Sequence, residues 1–275
     1  MLDIMSQAKN AIEAYNTALR ASSSNIANMN VTGYKRLDVS FQSIFERVMT
    51  QGTAAYNNTG GTNPRQYGQG MALSGVSVDF SAGELIDGSS LDLAVSGNGL
   101  FVLSPDGGNS YLYTRAGSFD FQVDASGNRS LIANGMQVYG LDGSGNLTPI
   151  INLPSGNNSD YRWQADGTLE YSADGGTTWV PLGYRIALSS FPNPGGLAQA
   201  QGTSFAESAA SGAASAPQAP GSGVGAVRSG KLEQSNVFYL GETLDALEIQ
   251  RAMSGNLTIV RMASDMISQF ISRLS

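Results

Sequence analysis

Apolar positions at both ends of the chain recur at helical spacing, whereas the long stretch between them breaks into short alternating runs. Ile4, Ala8, Ala11, Tyr15, Leu19, Ser22 and Ile26 fall at alternating intervals of four and three, a coiled-coil-like seam that Ile12 and Ala18 widen. The spacing predicts a helix from about Asp3 to Asn28, roughly 39 Å long at about 1.5 Å per residue. Ala8, Ala11, Ala18 and Ala21 are small, so a neighbouring helix can come close. The run from Asn28 to Gly33 ends the pattern, with Gly33 the natural site for a positive φ or a tight turn.

The other end reads alike. From Gly241 to Ser275 there is no proline, and Leu244, Leu247, Met253, Leu257, Val260, Ile267, Phe270, Ile271 and Leu274 mark one apolar face. Gly255 costs about 1 kcal/mol of helix propensity, which a packed face outweighs. An amphipathic helix must bury its stripe. Two arrangements do so: the ends fold back on their own domain, or they pair with each other and with neighbouring subunits. The long first seam favours pairing.

The middle is strand and turn. Leu91–Val95, Gly99–Leu103, Tyr111–Thr114, Ser118–Val123, Leu131–Ile132 and Gln137–Gly140 are separated by Pro105-Asp106-Gly107-Gly108 and by Asp-, Ser- and Gly-rich turns. Turns roughly every 8–12 residues indicate a sandwich, barrel or β-roll. A second block beginning near Pro154 carries a hairpin signal, Thr168–Tyr171 against Thr177–Val180 across Asp174-Gly175-Gly176, then Tyr184–Leu188. Residues 208–227 are nearly all Ala, Ser, Gly and Pro and read as an extended connector. The polar segment 50–70 is orderable against a partner. The fold class expected is therefore a mainly β middle with long N- and C-terminal helices pairing as a coiled-coil-like core.

Composition sharpens this picture. The 275 residues include 34 glycines and 9 prolines, with 13% charged, the balance of a turn-rich β protein. Without cysteine there is no disulfide or thiolate metal site, and without histidine the usual metal ligand and neutral-pH base are missing. The net charge of −7 is uneven: residues 1–36 carry four basic and two acidic groups, and residues 227–275 five of each. The acidic middle argues against nucleic acid, and the nearly neutral ends can approach other copies. No stretch reaches the roughly 18 to 20 apolar residues of a membrane span, and Met1-Leu2-Asp3-Ile4-Met5 lacks the pattern of a cleaved signal peptide.

Candidate chemistry is thin. Asp124-x-Ser126-x-Asn128 and Asp142-x-Ser144-x-Asn146 alternate oxygen ligands as a calcium loop does, but lack the downstream glutamate; an Asx turn explains both. Gly97-Asn98-Gly99 lacks a phosphate-binding lysine. A Ser–Lys nucleophile would need Lys9, Lys35 or Lys231, all in or beside the terminal elements. Asp120 and Asp124 could serve as a glycosidase pair, yet suit strand edges and turns as well. Tyr111, Tyr113, Phe119 and Phe121 read as cross-strand core residues. No catalytic residue, metal ligand or cofactor is expected.

Five segments carry a family likeness. Ser24-Asn25-Ile26-Ala27-Asn28-Met29-Asn30-Val31-Thr32-Gly33-Tyr34-Lys35-Arg36 resembles the N-terminal signature of bacterial flagellar rod and hook proteins, with Ser24, Val31 and Tyr34 departing mildly. Leu91 to Phe101 resembles the family's central strand signature, and Tyr113-Thr114-Arg115-Ala116-Gly117-Ser118-Phe119 its Tyr-Thr-Arg-x-Gly-x-Phe pattern. Leu232-Glu233-Gln234-Ser235-Asn236-Val237 is similar to its Leu-Glu-x-Ser-Asn-Val turn. Gln250-Arg251-Ala252-Met253 resembles its C-terminal helix segment, with Met253 replacing an aromatic. Their shared order makes the match specific.

The resemblance implies a helical tube of identical subunits with the terminal helices lining the inner wall and the β domain outside. Its partners would be many copies of itself, adjacent rod and hook proteins, the rings surrounding the rod and the flagellar export apparatus. Nucleic acid and membrane insertion are not expected. The location would be the flagellar basal body, reached by type III export without a cleaved signal. Residues 1–30 would be the first core helix, 31–75 a linker and stiffening segment, 76–227 the outer domain and 228–275 the C-terminal turn and helix.

Self-assembly would fall to Ile4, Ala8, Ala11, Tyr15, Leu19 and Ile26, with Leu257, Val260, Ile267 and Leu274 opposite. Asn25, Asn28, Asn30, Gly33 and Tyr34 would shape the helix exit, and Ser235, Asn236, Gln250 and Arg251 complete the signatures. Lys35 and Arg36 would pair with carboxylates of an adjacent subunit. The chain's length favours a distal rod component, with a proximal rod or short hook subunit as the alternative and a surface fibre or phage-tail part as the non-flagellar one.

Overall fold

The computed structural model describes residues 2–44, 47–50, 61–63, 65–67, 70–123 and 127–274, without the side chains of 2, 3, 47–50, 65–67 and 274. The polar run around Asn57, the turn at Asp124-Ala125-Ser126 and the side chain of Leu274 lie outside the described residues. The chain divides into two units, one of residues 1–26, 37–76 and 239–275, the other of residues 27–36 and 77–238.

The first unit contains helix α1, Leu2–Ala27, and helix α2, Tyr239–Leu274. Leu37–Ser43 pairs with Met71–Val78, and Arg47–Thr50 runs antiparallel to Arg65–Tyr67. No glycine or proline interrupts α1, so its apolar face stays in phase throughout. Its fully buried positions are Ala8, Ala11, Ala14, Ala18, Ala21, Ser22 and Asn25. Tyr15, Leu19 and Ile26 are half-buried, and Ile4 is 46% exposed. The covered line is thus the one with small side chains, which permits the closest approach, and the larger members of the seam flank it.

Helix α2 is 36 residues long, yet among the described residues only Glu242 and Ala263 along it are buried. Glu242 lies in its first turn, where a carboxylate is favoured by the helix dipole. Leu240, Leu244, Leu247, Ile259, Met262, Met266 and Phe270 are all exposed. The two helices pack together, and a groove of about 360 Å3 is lined by Ile4, Ala8, Ala11 and Tyr15 of α1, by Asn256 and Ile259 of α2, and by Met71.

The second unit is an antiparallel β structure. Its main sheet runs Tyr161–Trp163, Thr168–Tyr171, Val180–Ile186, Met136–Leu141, Leu100–Ser104, Leu112–Thr114, Ser204–Ala206, Ala198–Gln199, with further strands attached at the sides. Strands before and after Pro154 share this sheet, and Leu93, Phe101, Val138, Trp163, Leu169 and Ile186 share one core. Leu100–Ser104 is buried at every position, as a strand covered on both faces is, whereas Arg129–Ala133 alternates, with Leu131 and Ala133 buried and Ser130 and Ile132 half-buried. Tyr113 and Phe119 join the interior, while Tyr111 is 36% exposed.

Residues 208–227 cross this unit as extended chain held by serines. Ser211 and Ser208 hydrogen-bond one another, Ser215 Oγ accepts from the Ser190 N–H, and Gln218 bridges Leu188. Ala226–Ser229 then pairs with Leu93–Ser96.

Candidate assembly surface and its buried ionic anchor

The exit from α1 is built from side-chain amides. Asn25 donates through Nδ2 to the Leu37 carbonyl at 2.9 Å and accepts the Leu37 N–H on Oδ1 at 2.8 Å. One side chain so satisfies both backbone groups of a residue beyond the turn. The turn itself is closed by Val31 N–H to the Asn28 carbonyl at 3.0 Å. Gly33 has φ +69°, and a Cβ there would sit 2.3 Å from the Ala116 nitrogen. Glycine is therefore dictated twice, by conformation and by space. Tyr34 behind it is buried, and Asn30 is exposed.

Lys35 is 1% exposed. Its Nζ donates to Glu233 Oε1 at 2.6 Å and to the Ser81 carbonyl at 2.7 Å. Glu233 Oε1 also accepts the Gly83 N–H at 3.0 Å, and its Oε2 lies 3.5 Å from Arg115 Nη1. Arg115 donates further to the Val95 carbonyl at 3.0 Å and the Gly97 carbonyl at 2.5 Å. Burial lowers the pKa of Lys35 and of Arg115, and Glu233 opposes the fall in both. The expectation that Lys35 reaches an adjacent subunit is thereby corrected. A buried ammonium needs a carboxylate at hand, and its own chain supplies Glu233.

Beside this cluster the return segment is tied down. Asn236 Oδ1 accepts the Arg36 N–H at 2.8 Å, while its Nδ2 donates to the Asp79 carbonyl at 2.8 Å and Ser81 Oγ at 2.9 Å. The Gly33 N–H donates to the Glu233 carbonyl at 2.8 Å. Ser235 Oγ accepts the Val237 N–H at 3.2 Å, and the Arg36 guanidinium lies 3.7 Å from Asp79. The first and fourth signature segments, some two hundred residues apart in sequence, therefore meet. Arg115 of the third joins them. Sequence reasoning missed Glu233 as the carboxylate shared by Lys35 and Arg115, although Glu233 and Arg115 both stand inside the motifs it singled out.

The remaining site residues lie on the helices. Gln250, Arg251 and Leu257 are exposed along α2, and Val260 and Ile267 are half-buried. Asp142 accepts the Ser144 and Asn146 N–H groups at 2.8 Å each, which makes it an Asx-type turn. Among the described residues no group of three or more acidic side chains is placed to hold a metal.

Paired helices with an uncovered apolar row, together with a β unit that contains a buried ion cluster, are the features of a structural subunit. Residues 5–35 match the family model described as flagella basal body rod protein. The chain is 30% identical over 260 residues to the flagellar basal-body rod protein FlgG of Bacillus subtilis, covering 94% of each. It is 30% identical over 267 residues to FlgG of Agrobacterium fabrum, covering 95% of each. Likeness to the flagellar hook protein FlgE of Borreliella burgdorferi is 35% over 132 residues, 47% of this chain and 28% of that protein. The chain belongs to the flagellar basal-body rod protein family, and it is a structural protein, not an enzyme.

Proposed function

We propose that this chain polymerises into the distal rod of the bacterial flagellum, a helical tube that transmits torque and leaves a central export channel. The observation that carries the reading is the extent of likeness: rod relatives are matched nearly end to end, hook relatives over a fraction of their length. The exposed row of α2 supports it, since such a row gains stability only when covered.

In this reading Ile4, Ala8, Ala11, Tyr15, Leu19 and Ile26 pack against Leu257, Val260, Ile267 and Leu274 of the same and neighbouring copies. Residues 31–75 stiffen contacts between copies, 76–227 face outward, and the end segments 1–30 and 228–275 build the inner wall. Adjacent rod and hook proteins, the surrounding rings and the export apparatus are the other partners, at the basal body outside the cytoplasm. A heterologous contact that does not close extends such an assembly into a helix. Electron micrographs of the purified chain seeded with the preceding rod segment test this. Straight tubes are expected; curved tubes would favour a hook subunit, and persistent monomer would defeat the proposal.

A further inference from the structure

Two of the chain's nine methionines stand apart from the rest. Met262 is 52% exposed and Met266 50%. Among the other described methionine side chains, Met5, Met29, Met71 and Met253 are half-buried, and Met136 lies inside the β core. Met262 and Met266 are four residues apart on α2, which makes them neighbours on one helix face. Ile259 and Phe270 continue the same line to either side, and both are exposed. The two thioethers therefore occupy the middle of the uncovered apolar row.

Methionine is an apolar side chain that a mild oxidant makes polar, and this chain has no cysteine to react in its place. With hydrogen peroxide, the sulfur lone pair attacks one peroxide oxygen, the S–O bond forms and the O–O bond breaks. The displaced hydroxide takes up the proton of the transferred oxygen and leaves as water. Sulfur is oxidised to the sulfoxide, and the peroxide is reduced. On the lone chain the new oxygen accepts hydrogen bonds from water and costs little. Beneath an apolar surface it is an acceptor without a donor, which is costly. Exposure governs the reaction too, so the pair is most reactive before anything covers it.

We propose that Met262 and Met266 are an oxidation site that controls addition of the chain to an assembly. Peroxide converts the pair to sulfoxides in the free subunit and bars it from polymerising, whereas coverage by the next copy shields the pair. The inference rests on the reading that a second copy of this chain covers the row. Charge allows that occupant: residues 227–275 carry five basic and five acidic groups, so two such ends meet without net repulsion. Methionine sulfoxide reductases reverse the reaction, so a barred subunit is recoverable.

The full chain is treated with dilute hydrogen peroxide, sulfoxides are located by peptide mass spectrometry, and seeded polymerisation is followed by light scattering. Met262 and Met266 should oxidise first and Met136 last. The oxidised chain should need about tenfold more protein to polymerise, with its helix content by circular dichroism unchanged, and methionine sulfoxide reductase should restore it. The double variant Met262→Leu, Met266→Leu, a volume-conserving change at exposed positions, should polymerise equally before and after the same treatment. In preformed tubes the pair should resist oxidation. Equal polymerisation of oxidised and untreated parent would overturn the proposal, as would equal impairment of the oxidised double variant. Loss of helix on oxidation, no recovery with the reductase, or equal oxidation of the pair in tubes and monomer would overturn it as well. An untreated parent that stays monomeric on the seed marks a different failure: it defeats the assembly reading itself, and this inference falls with it.

Discussion

Glu233 is the residue on which the most local structure converges. Its carboxylate meets Lys35, Arg115 and the Gly83 N–H, and its backbone carbonyl holds Gly33. Glu233→Gln leaves two buried cations without a counter-charge, a change expected to cost about 3–5 kcal/mol. Lys35→Met keeps the Glu233–Arg115 pair and should cost less. Chemical denaturation of both variants gives the order directly, and the reverse order would mean that Lys35, not Glu233, organises the cluster. Gly33→Ala should be destabilising as well, since φ +69° and the 2.3 Å approach to Ala116 both oppose a side chain.

Acid provides a second residue-scale test. The carboxyl groups of Asp106, Asp142 and Asp174 are held below the ordinary 3.8, chiefly by the Ser110 hydroxyl, the Asn146 N–H and the Thr178 hydroxyl respectively. The folded state thus binds fewer protons than the unfolded one near that value. Stability from these turns is complete above it and lost as pH falls through and below it. Asp174→Asn should flatten the acid limb of the stability profile relative to the parent. An unchanged acid limb would show that the Thr178 bonds do not favour the charged form.

At the scale of elements, what the sequence made legible was periodicity. The two helices were expected at about Asp3 to Asn28 and from Gly241 onward, and they span Leu2–Ala27 and Tyr239–Leu274. The strands at Gly99–Leu103 and Tyr111–Thr114 were readable because both faces or alternate residues are apolar. The hairpin at Asn134-Gly135 was passed over, although φ of 52° and 76° at those two residues is what an Asn-Gly pair provides for a two-residue turn. The serine bonds of residues 208–227 were not legible. Small side chains give no hydrophobic period, and their partners lie on distant strands.

Helix α2 carries its own prediction. A Cβ on Gly255 would meet nothing within 4 Å. Gly255→Ala should therefore stabilise the helix in the lone chain by up to about 1 kcal/mol. If a neighbouring copy approaches this point in the tube, the same change should impair polymerisation, and light scattering separates the two effects. Ile26→Asp, on the half-buried flank of α1, should block polymerisation by placing a charge in a packed seam. Its near-ultraviolet circular dichroism should match the parent, because the aromatic core lies in the β unit. Loss of that signal would mean that Ile26 serves folding rather than assembly.

For the whole molecule, sequence patterning identified helical ends, a β middle and the family. It did not reveal how the signatures cooperate. The contact between Lys35 and Glu233 joins segments that no local period links, and only their meeting in space shows why glycine, lysine and glutamate occur there. The same limit applies to the Arg115 Nε, which has no hydrogen-bond partner, since an unpartnered atom is visible only after every partner has been placed.

The central claim is that the apolar row of α2 is covered only when several copies come together. Amide hydrogen exchange of residues 239–274, compared between monomer and seeded assemblies, measures this most directly. The account predicts rapid exchange along α2 in the monomer and strong protection in the tube. Equal protection in both states, with the row already covered in the monomer, would contradict it.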